Sequence, residues 1–193
     1  MKKRWEVFVL SAFLLNFAGT KMNRLKAFFI WLGRIGHCRG FGIQSPADYW
    51  LVRYVINEHW PYYSYSELGQ DDNWLTQKLG RLYFRLANWC QPAMIMSDAY
   101  QAYMQAGCRK AKFGESTEMI RLTLEGDYRN RLMDIYNKVN DTTLLIVEHL
   151  WKDKQFWQEI IDDERTRVTF DLYYCGIVLF DKKRTKINYI INF

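Results

Sequence analysis

The sequence lacks the signatures that would name a chemistry outright. It contains no G-x-G-x-x-G, no P-loop, no H-E-x-x-H and no G-x-S-x-G. A dinucleotide cradle, a triphosphate cradle, a zincin helix and a serine nucleophile elbow therefore have no support in it. Cys38, Cys90, Cys108 and Cys175 are scattered and form no C-x-x-C pair, which removes a zinc ribbon or a thioredoxin-type redox motif. Scattered thiols of this kind fit small buried hydrophobes in a reducing, cytoplasmic compartment. Histidine is confined to His37, His59 and His149. His37 and Cys38 are adjacent in a basic loop with no further ligand near in sequence, so no metal site is expected. Proline is limited to Pro46, Pro61 and Pro92, and each reads as an element boundary. There is no repeat, no low-complexity tract and no apolar run long enough to span a bilayer.

What is present is a chain of 193 residues, 49% hydrophobic and 17% aromatic. That is enough to bury one core, and the composition is that of a globular domain. The net charge of +6 is unevenly placed: residues 1–40 hold eight of the 27 Lys and Arg but a single acid, Glu6. The remainder is near neutral. No nucleic-acid partner is expected, because such proteins carry basic residues on the folded surface that meets phosphate. A basic, apolar N-terminal stretch instead fits peripheral contact with a membrane surface, or an acidic partner, through residues 1–36.

Within that stretch, Lys2, Lys3 and Arg4 precede an apolar run from Val7 to Ala18, the layout of a secretory signal. The cleavage site is poor, with Asn16 or Phe17 at the −3 position. Residues 1–22 are read as an apolar basic leader, either signal-like or ahead of a true start at Met22. Residues 23–193 are read as a single α/β domain with a helical extension over 23–90.

Spacing of apolar residues predicts a helix over 23–36 (Leu25, Phe28, Phe29, Leu32, Ile35). After the glycine-punctuated loop Gly36–Gly42, Ser45 and Pro46 start a second helix that runs to about Glu58. A third amphipathic helix is expected over 74–90. Ala93–Met96 and Thr143–Val147 read as buried strands, Arg109–Phe113 as a weaker one, and Tyr100–Ala106 as a helix with Gly107 as its C-cap. Residues 117–140 read as helical, interrupted near Gly126, and 151–163 as another helix. Val168–Phe180 and Lys186–Phe193 read as two strands joined as a hairpin. The fold class is α/β: a mainly parallel sheet with a C-terminal antiparallel hairpin, preceded by N-terminal helices.

Two places stand out for chemistry. Glu148 and His149 follow the strongest strand, where open α/β sheets bind ligands, and an acid beside an imidazole can serve acid–base catalysis. The plainer reading is the polar end of a strand. Ser97 and Asp98 follow the strand ending at Met96, where a carboxylate can hold a ribose, amine or sulfonium; the plainer reading is a cap for the next helix. The aromatic residues over 49–65 can stack on a flat ligand or pack the interior.

Gly40 to Pro46 (Gly-Phe-Gly-Ile-Gln-Ser-Pro), followed by Tyr62, Tyr63 and Tyr65, resembles the N-terminal signature of a Bacteroidetes group of class I S-adenosylmethionine-dependent methyltransferase-like proteins. Arg85-Leu86 with Gln91-Pro92 resembles the helix that enters their first strand. Trp157 to Ile160, Val168 to Leu172, Gly176 to Val178 and the final Ile191-Asn192-Phe193 resemble their closing helix, hairpin and carboxyl end. The resemblance covers residues 23–96 and 142–193. It implies a Rossmann-like fold with S-adenosylmethionine as cofactor, near Ser97, Asp98, Ala99 and Tyr103. The centre departs from the family pattern. Gln44 stands where the group has His, Ala99 and Tyr103 stand where it has glycines, and Glu148-His149 replaces a pair of acids. The segment 107–142 is short for the complete fold. The expectation is a degenerate, non-catalytic binding or partner module; the alternative is an active methyltransferase with an atypical cofactor loop.

Overall fold

A computed structural model describes residues 24–193; the leader read over 1–22 lies outside the described residues. Helix α1, Arg24–Gly33, forms where the apolar spacing places it. Residues Arg34–Phe193 make a separate compact unit. Within α1, Phe28 packs edge-on to Phe29 at 5.8 Å and stacks on Trp31 at 6.4 Å between ring centroids.

The compact unit begins with α2, Pro46–Leu51, opened by Ser45, whose Oγ accepts from the Asp48 amide at 3.3 Å. Proline at the first helical position costs no hydrogen bond there. The helix then widens into a π-helical turn, Val52–Ile56, closed by the Asn57 amide donating to the Val52 carbonyl at 2.9 Å. Helix α3, Trp74–Cys90, starts at Asn73, which accepts from the amides of Leu75 and Thr76. It ends at Gln91, in left-handed backbone at φ 46° immediately before Pro92.

Seven strands follow: β1 Met94–Met96, β2 Lys112–Phe113, β3 Met119–Thr123, β4 Leu144–Glu148, β5 Val168–Asp171, β6 Cys175–Leu179 and β7 Ile187–Ile190. Three helices are interspersed: α4 Gln101–Gly107, α5 Tyr128–Tyr136 and α6 Lys154–Asp162. The sheet order is β2-β1-β3-β4-β6-β5-β7. Every neighbouring pair is parallel except the two made by β6. Alternation along the strands sends Ile120, Leu122, Leu145, Val147 and Val178 to one face, where they join Leu132 and Ile135 of α5 and Phe156 and Ile160 of α6 in one core cluster. Met119, Arg121, Leu144, Ile146 and Glu148 take the other face.

The α/β class and the mostly parallel sheet with an antiparallel C-terminal part hold. Three local expectations change. Residues 119–123 are the interior strand β3, not helix, because an apolar run with one charge pairs along β4 over its whole length. The hairpin lies inside 168–180: Asp171 Oδ1 accepts from the Tyr173 amide at 2.8 Å and turns the chain from β5 into antiparallel β6. Strand β7 runs parallel to β5 at the edge. Gly107 is the last residue of α4 rather than a cap beyond it. A Cβ there would stand 2.2 Å from the Phe84 carbonyl oxygen, so glycine is what lets α4 lie against α3.

Lys78 of α3 lies over the Phe193 ring, 4.3 Å from its centroid. Burial, with Arg85 adding to it, pushes its ammonium down from 10.5 to about 8. Between those two values the unfolded chain binds the proton that the native state releases, so this group's contribution to stability rises with pH across the window. In paired urea titrations the wild type should therefore gain stability relative to Lys78→Met as pH rises from about 8 to 10.5. A difference that stays constant across that window would contradict the burial of the charge.

Candidate functional site

In the sheet order, β1 lies between β2 and β3. The chain steps outward from β1 to β2 and then returns past β1 to β3. Open α/β sheets bind ligands outside the carboxyl ends of the strands that flank such a reversal. Here those ends deliver the Ser97–Tyr100 loop after β1, and Glu148 at the end of neighbouring β4.

Glu148 is 1% exposed and fully engaged. Its Oε1 accepts from the Tyr83 hydroxyl of α3 at 2.5 Å and from Arg121 Nε at 2.9 Å, and its Oε2 accepts from Arg121 Nη2 at 2.6 Å. The third arm of the same guanidinium, Nη1, donates to Asp98 Oδ1. Arg121 thus bridges two carboxylates, one buried and one with its side chain 75% exposed. Its guanidinium lies 5.1 Å from the centre of the Tyr100 ring, and Tyr100 stands edge-on to Tyr83 at 4.9 Å. Burial and the Glu148 carboxylate push the Tyr83 phenol well above its ordinary value, so it remains a donor. A two-pronged Arg–carboxylate bond with a further hydrogen bond to the same carboxylate satisfies the buried charges that would otherwise be costly.

The sequence-predicted residues fall around this network. Asp98 belongs to it directly. Ser97 Oγ donates to the Ala99 carbonyl at 2.5 Å, and Tyr100 stands at the N-cap of helix α4 with no side-chain capping bond. Neither Ser97 nor Asp98 is a cap, because Arg121 draws the Asp98 carboxylate away from the helix start. Tyr100 occupies left-handed backbone at φ 59°, a conformation usually left to glycine. Tyr103 is buried: its ring lies where a Cβ on Gly80 would stand at 2.6 Å, and its hydroxyl donates to Asp72 Oδ2 at 2.9 Å. His149 is in left-handed backbone at φ 63°. Its amide donates to the Tyr174 carbonyl, its ring meets Trp151 edge-on, and Nδ1 is buried without a partner. Burial pushes its imidazole below the usual range. Glu148 and His149 line one hollow but have different partners, Arg121 and Tyr83 for the first and Trp151 for the second.

A hollow of about 410 Å³ remains in front of the network, lined by Asp72, Thr76, Tyr100, Tyr103, Arg121 and His149 among others. These residues do not fit the cofactor implied by the resemblance. The resemblance implies S-adenosylmethionine held by a carboxylate on its ribose, amine or sulfonium, and by a loop whose backbone it can approach closely. Glu148 and Asp98 both already serve Arg121, and Asp72, a further acid in the lining, accepts from the Tyr103 hydroxyl, so each of these carboxylates already has a donor. Tyr100 and Tyr103 add bulk to the loop and helix where glycine would leave room. Among the described residues no group of three or more His, Cys, Asp or Glu could hold a metal ion.

The chain matches no protein-family model, no curated protein and no solved structure.

Arg121, Tyr83 and Tyr100 are the site residues that sequence reasoning missed. Arg121 carried a signal, a single charge inside the apolar run Met119–Leu124. Read with strand periodicity, that charge opposes the core face and demands a partner.

Proposed function

We propose that the chain is a methyltransferase-like, Rossmann-like domain that has lost its cofactor and acts as a non-catalytic binding or partner module. The observation that carries this is the Arg121 fork, which joins Glu148 and Asp98 across the crevice where the cofactor of an active relative would lie. The chain reversal between β1 and β3, the loop after β1 leading into a helix, and the antiparallel strand near the C-terminus support the Rossmann-like reading.

Calorimetric titration of the full chain with S-adenosylmethionine and S-adenosylhomocysteine tests it. The expected result is no binding at millimolar ligand to folded protein. Micromolar binding lost on Asp98→Ala would overturn it and support an active enzyme with an atypical loop.

A further inference from the structure

A second hollow, of about 450 Å³, is lined by Trp50, Tyr54, Glu58, Tyr62, Arg85 and Trp89 among others. None of its lining residues belongs to the crevice described above. Its walls come from the aromatic stretch over 49–65 and from α3. Trp50 and Tyr54 are half exposed, and their rings lie 5.9 Å apart.

Arg85 is the unusual member. It is 7% exposed, yet its partners are all neutral: Nε donates to the Val55 carbonyl at 2.6 Å, Nη2 to the Ile56 carbonyl at 2.9 Å and Nη1 to the Tyr65 hydroxyl at 3.4 Å. Among the described residues it makes no ion pair. The π-helical turn explains two of these bonds, because its last carbonyls need donors. It does not explain why the donor is a full charge, since buried charges are as a rule paired. A guanidinium has five N–H groups, and the three bonds above leave two of them for a ligand. The charged residues in the lining are Arg85 and Glu58. The acid in the lining, Glu58, is occupied at Oε2 by the Tyr62 hydroxyl at 2.8 Å.

We propose that this hollow binds a small planar aromatic anion, its ring against Trp50 and Tyr54 and its carboxylate on Arg85. A forked guanidinium matches a carboxylate geometrically, and half-exposed aromatic walls favour a flat ring over a saturated one. The site is independent of the crevice and of the methyltransferase reading.

Calorimetry on the full chain with naphthoate as probe tests this, with naphthamide to remove the charge and cyclohexanecarboxylate to remove the flat ring. Naphthoate should saturate at millimolar concentration or below, and each control should bind about tenfold more weakly. Trp50→Ala, at an exposed position that leaves the fold intact by circular dichroism, should weaken naphthoate about fivefold through lost stacking. Glu58→Gln should tighten it by removing the acid that faces the anion. Absence of saturation, equal binding of naphthamide, an unaffected Trp50→Ala, or weakening by Glu58→Gln would each overturn the proposal.

Discussion

Glu148→Ala should destabilise the protein by about 3–5 kcal/mol, the loss expected when one partner of a buried ion pair is removed. Arg121, with its side chain 6% exposed, would keep only the solvent-facing Asp98 as counter-charge, and the buried Tyr83 hydroxyl would lose its acceptor. The network predicts a graded series. Tyr83→Phe removes one donor and leaves Arg121 paired, so its cost should be about 1–2 kcal/mol. Asp98→Ala breaks a pair whose acid is 75% exposed, so its cost should be below about 1 kcal/mol. Urea denaturation of the three variants checks the order. Equal losses from Asp98→Ala and Glu148→Ala would mean that the charge of Arg121 is anchored at the surface rather than at β4.

Gly107→Ala should be nearly as damaging. Its new Cβ would stand 2.2 Å from the Phe84 carbonyl oxygen and 3.2 Å from the Ala87 Cβ. The first neighbour is backbone and cannot rotate aside, so α4 must move away from α3. A loss of about 3 kcal/mol, at the upper end of overpacking, is expected, against the small gain that Ala normally brings to a helix. Gly36→Ala is the control: nothing lies within 4 Å of its Cβ position, and its effect should fall within about 0.5 kcal/mol. If both substitutions are neutral by thermal denaturation, α3 and α4 are not in the close contact described.

These two sites show what a linear reading captures and what it leaves hidden. Helix α3 was legible because its apolar spacing is long and Pro92 closes it. Strand β4 was legible because Leu144 to Val147 is an unbroken apolar run. Strand β3 was not, because Arg121 in its middle mimics the polar face of a helix, and the carboxylate that neutralises it lies 27 positions away. The β5–β6 turn was hidden for a related reason. It has no glycine or proline at its tip, and Tyr173 takes φ 69° there with its amide held by Asp171. Asp171 is itself paired with Arg34, 137 positions earlier. At the site, Asp98 and Glu148 were visible as carboxylates at strand ends. That one arginine binds them both was not visible, since the junction forms only when β1, β3 and β4 lie side by side.

In the proposed module the Arg121 guanidinium holds both Glu148 and Asp98 and keeps them from a cofactor. Side-chain nitrogen NMR of that guanidinium tests it most directly, by following the hydrogen exchange of its Nε proton with and without S-adenosylhomocysteine. The Nε proton should be protected from exchange, with a signal that millimolar ligand leaves unchanged. A rapidly exchanging proton, or a signal that moves as ligand is added, would show an open crevice and contradict it.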